Sequence, residues 1–386
     1  MLEILVRVQA IFPQFGSKRF VSYTYILLME QLAAQGADVT AWFPACSAEA
    51  RRPFTREVIP PWAWPIARRF DRSQKPTRAL LETAYLSALK PGDLSYVWPM
   101  LQWPNFSPRF YEKVKKRGNT LVIELANCLT PTRRRCIEEG FTHMGWPIHH
   151  LIDETQMETE REMCRQADHI FCPSPWVAKS VTDEGIPESK IVRSSYGWDP
   201  HRFKGATRSL EHINGPTFLF VGWLDIRKGA PMLLNAWAKA GIKGRLVMAG
   251  KLESPVDVRC SDLLSRPDVI HIPYTNDIAS VYRSSDIFIF PTLEEGSPLA
   301  VYEAMGNGLP VIVSPMGAGE VVRDGKEGMI INPFDENALI AAMQRLAKDV
   351  ELREAMAAAG RVRASDYTWD ETGSRRMDQW KAIASD

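Results

Sequence analysis

The segment Glu295-Gly-Ser-Pro-Leu-Ala-Val-Tyr-Glu303 sets a carboxylate at each end of what reads as a loop-to-helix junction. Ser297 suits an N-cap and Pro298 the first helical position, where a missing N–H costs little. The helical run reaches about Met305 and is stopped by Gly306 and Gly308. The unpaired N–H groups of Ser297 to Ala300, with the helix dipole behind them, would then form an anion site fit for a nucleotide diphosphate. Glu295 sits in the loop ahead of that mouth. Glu303 lies six residues on from Ser297, a rise of about 9 Å at helical pitch. Both carboxylates would accept hydrogen bonds from hydroxyls, such as those of a hexose on one side and a ribose on the other. On these residues alone Glu303 also reads as a solvated helix residue, and Glu-Gly-Ser-Pro as a simple turn.

The elements that must position this segment alternate strand and helix along the chain, the pattern of βαβ units and parallel sheets. A first series of strands is expected at Ile4–Val8, Asp38–Phe43, Leu94–Trp98, Leu121–Glu124 and His169–Cys172. Helices are expected at Tyr25–Gln35 and Met157–Gln166. A second series begins at Thr217–Val221 and continues through Arg245–Ala249, Val269–Ile272, Asp286–Phe290, Pro310–Val313 and Gly328–Ile331. The stretch from Ser195 to Gly215 is the candidate linker, and the chain after about Val350 is helical with a break at Tyr367-Thr-Trp369. The expected fold is therefore α/β: two doubly wound Rossmann-like domains facing a central cleft, residues 1–195 and 196–365. A last helix over 366–386 is expected to pack back on the first domain. Ligands in such sheets sit beyond the carboxyl ends of the strands.

Length and composition agree with two ordinary globular domains: 386 residues, 45% hydrophobic and 24% charged. The net charge of +1 conceals an asymmetry. Residues 1–120 hold 17 Lys+Arg against 9 Asp+Glu, or +8, and the remainder 30 against 37, or −7. A basic first part suits either an anionic partner or a merely solvated face. The six cysteines form no C-x-x-C pair and read as reduced, mostly buried thiols. His149-His150 lacks neighbours at metal-ligand spacing. No apolar run approaches the ~18 residues needed to span a bilayer, and the charged N-terminus reads as a strand and not as a signal peptide. A cytoplasmic protein is expected, with no metal, no cofactor and no nucleic-acid partner.

The segment resembles the E-x7-E signature of the group-1 (family-four) retaining glycosyltransferases, built on the B-type two-Rossmann fold. Gly222 through Lys228-Gly229 looks like that family's phosphate loop, followed by its helix at Pro231–Trp237. Val247–Gly250, Val269–Tyr274, Val281–Asp286, Gly308–Ser314 and Gly317–Glu320 follow in family order. Ala167–Ser174 and Tyr196-Gly-Trp-Asp199 resemble the end of its first domain. The match is specific over about 168–345. It implies a cytoplasmic enzyme of polysaccharide or glycoconjugate biosynthesis that moves a sugar from a nucleoside diphosphate sugar to an unidentified acceptor with retention. By the resemblance Glu303 binds the ribose, Glu295 the transferred sugar and the amides around Gly296, Ser297, Pro298 and Leu299 the diphosphate. Lys228 meets the leaving phosphate, with Arg227 as a second cation. Gly222 belongs to the phosphate loop, and Gly250-Lys251 and Pro273-Tyr274 lie where the family contacts the base.

Three departures stand out. Trp223 occupies the place where the family usually has Arg, and Arg227 is a candidate replacement for that charge. The loop after Leu121–Glu124 offers Glu124, Asn127 and Cys128 but no His. The paired glycines near the first strand are reduced to Gly16, followed by Lys18 and Arg19. Gly16 would admit a ligand's close approach, or simply make a turn. These losses leave open a catalytically weakened nucleotide-sugar-binding or regulatory subunit. The run Ile59–Arg72 interleaves Trp62, Trp64 and Phe70 with Arg68, Arg69 and Arg72. It suits an anionic bilayer at the inner membrane face, or a crossover whose tryptophans pack inward. No D-x-D occurs, so metal independence is expected.

Overall fold

The computed structural model describes residues 5–17, 20–71, 75–99, 106–148 and 154–385. The chain forms two compact units. The first comprises Met1–Pro131, Leu151–Tyr196 and Trp369–Asp386, and the second Thr132–His150 and Gly197–Thr368.

Seven strands build the first unit: β1 Arg7–Ile11, β2 Asp38–Phe43, β3 Thr55–Glu57, β4 Leu94–Val97, β5 Thr120–Glu124, β6 His169–Cys172 and β7 Ile191–Arg193. They lie in the order β3-β2-β1-β4-β5-β6-β7, every pair parallel. The order reverses between β1 and β4, which makes that carboxyl edge the topological switch point. All four residues of β4 are buried, as expected where helices cover both faces of a parallel sheet.

The first strand starts three residues later than the periodicity of Ile4–Val8 suggests. The buried run continues through Ala10, Ile11 and Phe12, whereas Leu5 is exposed. The edge strands β3 and β7 were not legible at all, because three residues apiece, mostly not buried, are too few to carry a recognisable pattern.

The last helix, Trp369–Ser385, belongs to this unit and crosses the helix Phe20–Ala34. Gly373 allows the approach, since a Cβ there would stand 2.7 Å from Cβ of Gln31. From the same helix Arg376 makes a bidentate bond to Glu124 at the end of β5, 2.7 and 2.8 Å. Both side chains are buried. Tyr96 also donates to Glu124, and the Phe171 ring lies 4.1 Å from the guanidinium carbon.

The second unit carries β8 Thr217–Val221, β9 Arg245–Ala249, β10 Val269–Ile272, β11 Ile287–Phe290, β12 Val311–Val313 and β13 Gly328–Ile330. Their order is β10-β9-β8-β11-β12-β13, again parallel throughout, with the switch between β8 and β11. A core of Phe218, Leu219, Phe220, Leu246, Val247, Ile287, Phe288 and Ile289 fills it. Thr132–His150 joins this unit through Cys136 and Phe141, which pack with Ile226, Met232 and Leu293. Both units are thus doubly wound and Rossmann-like. All six cysteines are buried and none is in a disulfide.

Candidate active site

The second sheet's switch point gathers two loops. After β8 the chain runs through Gly222 to Gly229, and after β11 through Pro291 to Pro298. Their backbones are joined: Leu293 N donates to Arg227 O at 2.7 Å, and Thr292 Oγ1 donates to the same carbonyl at 3.1 Å. Gly229 is required there, because its φ is +73° and a Cβ would stand 2.0 Å from Pro291 O. Gly250 is similarly constrained, with φ +146° and a Cβ position 1.9 Å from Gly222 O. This leaves a floor at the ends of β8 and β9 that carries no side chains.

Five charged groups meet at this junction. Lys228 Nζ is ion-paired with Glu295 Oε1. Arg227 Nη1 donates to Glu294 Oε2 at 3.3 Å and lies 4.0 Å from Glu295 Oε1. Arg133 Nε, from the helix Thr130–His143, stands 3.9 Å from Glu294 Oε2. Glu294 is 0% exposed and faces both arginines. Burial and the neighbouring Arg227 push the Lys228 ammonium well below the usual lysine range, against the opposing pull of Asp225 and Glu294.

The signature helix spans Leu299–Gly306. Ser297 is not its N-cap: Pro298 holds that position with φ −75° and ψ 99°, and no side chain caps the turn. The Ser297 hydroxyl is instead 2.9 Å from the Tyr302 hydroxyl on the same helix, a side-chain partner taken in place of a capping N–H. Glu303 is accordingly four residues from Leu299, a rise of about 6 Å rather than 9 Å. The helix still presents the Leu299 and Ala300 amides at its first turn, where no intrahelical acceptor exists. It ends where the Trp198 ring fills the space beside Gly306.

Glu303 is not a solvated residue. It is 9% exposed and accepts from Arg202 Nη1 at 3.0 Å and from Tyr282 OH at 3.1 Å. Burial raises its carboxyl above the ordinary range, opposed by Arg202 and Tyr282. Lys251 pairs with Glu253 at 2.5 Å and lies 5.7 Å over the Trp223 ring, which is 43% exposed. Pro273 and Tyr274 follow β10 and are exposed.

The structure therefore brings Arg227, Lys228 and Glu295 together and gives Glu303 its own cation. Gly16 lies in the first unit, where a Cβ would stand 2.5 Å from Cys46 Sγ and its N–H donates to Ala45 O at 2.9 Å. Lys18, Arg19, Arg72 and His149-His150 fall outside the described residues. Sequence reasoning missed Arg133, Arg202, Tyr282 and Glu294. Only Glu294 carried a local signal, as the second carboxylate of a pair before Gly296.

Two Rossmann-like units, one with this charged junction at its switch point, define a glycosyltransferase of the B-type fold. The chain belongs to the group 1 glycosyl transferases. The family model described as "Glycosyl transferases group 1" matches residues 215–349. The D-inositol 3-phosphate glycosyltransferase of Streptomyces griseus is 32% identical over 333 residues, 74% of this chain and 70% of that protein. The chain spans only 50% and 62% of the length of two other curated relatives it matches. Among solved structures, sucrose-phosphate synthase of Thermosynechococcus elongatus superposes with a TM-score of 0.73 at 18% identity, covering 98% of this chain and 99% of that one. HepE of Anabaena, in complex with UDP and glucose, gives 0.72 at 14% identity, covering 98% and 100%. At those identities the likeness concerns the fold.

Proposed function

We propose that this glycosyltransferase moves a sugar from a nucleoside diphosphate sugar to a glycan, lipid-linked or small-molecule acceptor, with retention at the anomeric carbon and without a metal ion or cofactor. The observation that carries the reading is the Lys228–Glu295 ion pair ahead of the helix Leu299–Gly306. A diphosphate arriving at the first-turn amides draws Lys228 toward itself and frees Glu295 to accept from sugar hydroxyls. Glu303 accepts from the ribose, the amides of Gly296, Ser297 and Leu299 hold the phosphates, and the base lies along Gly250-Lys251 and Pro273-Tyr274. The HepE complexes with UDP and with UDP-glucose support a donor of this class.

The bond from the anomeric carbon to the phosphate oxygen breaks as the acceptor oxygen attacks the same face. The acceptor's proton passes to the departing phosphate, and the new glycosidic bond keeps the original configuration. Lys228, with Arg227 behind it, stabilises the charge that builds on the diphosphate. The absence of D-x-D and, among the described residues, of any cluster of three or more His, Cys, Asp or Glu supports a metal-free reaction. The chain works in the cytoplasm against an anionic inner membrane face. Among the described residues no helix is long and apolar enough to cross a membrane.

A second reading, a nucleotide-sugar-binding subunit without turnover, is favoured by Trp223 in the place of the family's arginine. A thermal-shift panel of nucleoside diphosphates and their sugars identifies the base and sugar, since a ligand of the native state raises the midpoint. Product analysis in the presence of a chelator tests the rest. Binding without hydrolysis or transfer supports the second reading; an inverted product or loss of activity to the chelator overturns the mechanism.

A further inference from the structure

Trp62, Pro65, Ile66 and Arg69 recur at the spacing that puts residues on one face of a helix. The backbone there is helical: Ala63 N donates to Pro60 O at 2.8 Å, Trp64 N to Pro61 O at 3.3 Å, and the helix Trp64–Phe70 follows. Trp62 is 78% and Ile66 57% exposed, and Pro65, Arg68 and Arg69 are exposed beside them. The opposite face anchors the segment. Trp64 is half-buried and stacks on Phe15 with ring centroids 5.4 Å apart, while Ala63 and Ala67 are half-buried. The tryptophans thus split, one inward and one outward, so inward packing holds for Trp64 and not for Trp62.

Scattered exposed apolar residues need no explanation, but here two large ones share a face with guanidinium groups. No acid occurs between Val58 and Phe70. The acids flanking the segment are already engaged: Glu57 accepts from Arg51 Nε at 2.6 Å and from Cys46 N at 2.9 Å, and Asp71 accepts from Thr77 N at 2.8 Å. Exposed Arg56 adds a further cation on β3. Among the described residues Arg68 and Arg69 have no acidic partner, and apolar side chains flanked by such arginines match an interface that is apolar below and anionic above.

We propose that this face docks on an anionic lipid bilayer, Trp62 and Ile66 entering the headgroup boundary while Arg68 and Arg69 meet lipid phosphates. The proposal gives a surface to the membrane contact put forward above and is independent of the donor chemistry. Through the Trp64–Phe15 stack the docked helix is joined to the loop that follows β1. Docking therefore holds the switch-point edge of the first sheet beside the lipid.

Flotation of the full chain with vesicles of phosphatidylcholine, alone and mixed with phosphatidylglycerol, tests this. The protein is expected to float with the mixed vesicles only, and less as salt rises. Each arginine removed in Arg68→Ala and Arg69→Ala weakens partitioning about 5-fold, the equivalent of ~1 kcal/mol per charge near the surface. Trp62→Ser with Ile66→Ser abolishes flotation while leaving the nucleotide-induced thermal shift of the wild type, which shows that the variant is folded. Absence of wild-type flotation, flotation indifferent to salt or to these substitutions, or a dimer in sedimentation that Trp62→Ser dissolves would each overturn the proposal. Flotation without donor turnover would sink the proposed reaction and leave this surface standing.

Discussion

Lys228 and Glu295 neutralise one another across the two loops at the second sheet's switch point. In the proposed reaction each has a different partner, phosphate for one and sugar for the other, so the ion pair reserves both groups until a donor separates them. Lys228→Ala is expected to lower kcat by roughly 10²–10³, as removal of a transition-state charge partner does. The Lys228 pKa is depressed by burial and by Arg227, so the basic limb of the activity profile falls below the ordinary lysine range. Lys228→Arg moves that limb up. The folded state also binds fewer protons than the unfolded between the lowered pKa and about 10.4, so stability rises with pH across that window. Melting curves against pH check this, and Lys228→Met should remove the rise.

Glu294 supplies the second prediction. Its carboxylate has no solvent access and faces Arg227 and Arg133. Arg227→Ala removes the nearer of these two cations and is expected to cost about 2–4 kcal/mol in denaturant unfolding. Adding Glu294→Gln should recover part of that loss, because the buried charge goes with its partner. Strict additivity of the two changes would show that the groups do not interact.

Glu303 is expected to act on donor affinity. Glu303→Gln should raise KM for the donor about 10-fold or more with little change in kcat, the signature of binding lost equally in ground and transition states. Burial raises the Glu303 pKa and Arg202 and Tyr282 oppose that rise. The acid limb of kcat/KM therefore lies above the ordinary glutamate range. Arg202→Met moves it further up, and an unmoved limb would assign the limb to another group.

Much of this architecture was legible because buried parallel strands are continuous apolar runs. Thr217–Val221, Arg245–Ala249, Asp38–Phe43 and His169–Cys172 begin and end where their composition changes. The signature segment was equally plain as a loop followed by a helix. Its details were not. Ser297 follows a local rule that the Tyr302 hydroxyl overrides. Arg202 and Tyr282 reach Glu303, and Arg133 reaches Glu294, from separate parts of the chain, and no spacing announces a partner supplied by topology. The place of Arg227 likewise depended on which of two adjacent carboxylates turned inward.

The Glu124–Arg376 pair yields a fourth prediction. Arg376→Met takes the guanidinium from buried Glu124, to which Tyr96 still donates, and should cost about 3–5 kcal/mol. Glu124→Gln in the same chain should recover much of this. Hydrogen exchange would locate the effect: amides of Trp369–Ser385 and of β5 lose protection together, while those of β8 and β9 do not.

That same helix bears on how the protein is made. Trp380 fills the first unit against Tyr96 and Phe171, with ring centroids 4.9 and 5.4 Å away. Yet Trp369–Ser385 is synthesised after all of the second unit's strands. Domains generally fold in the order in which they leave the ribosome. Here the second unit has its whole sequence first, and the sheet of the first unit waits for a helix that is made only after the second unit's strands.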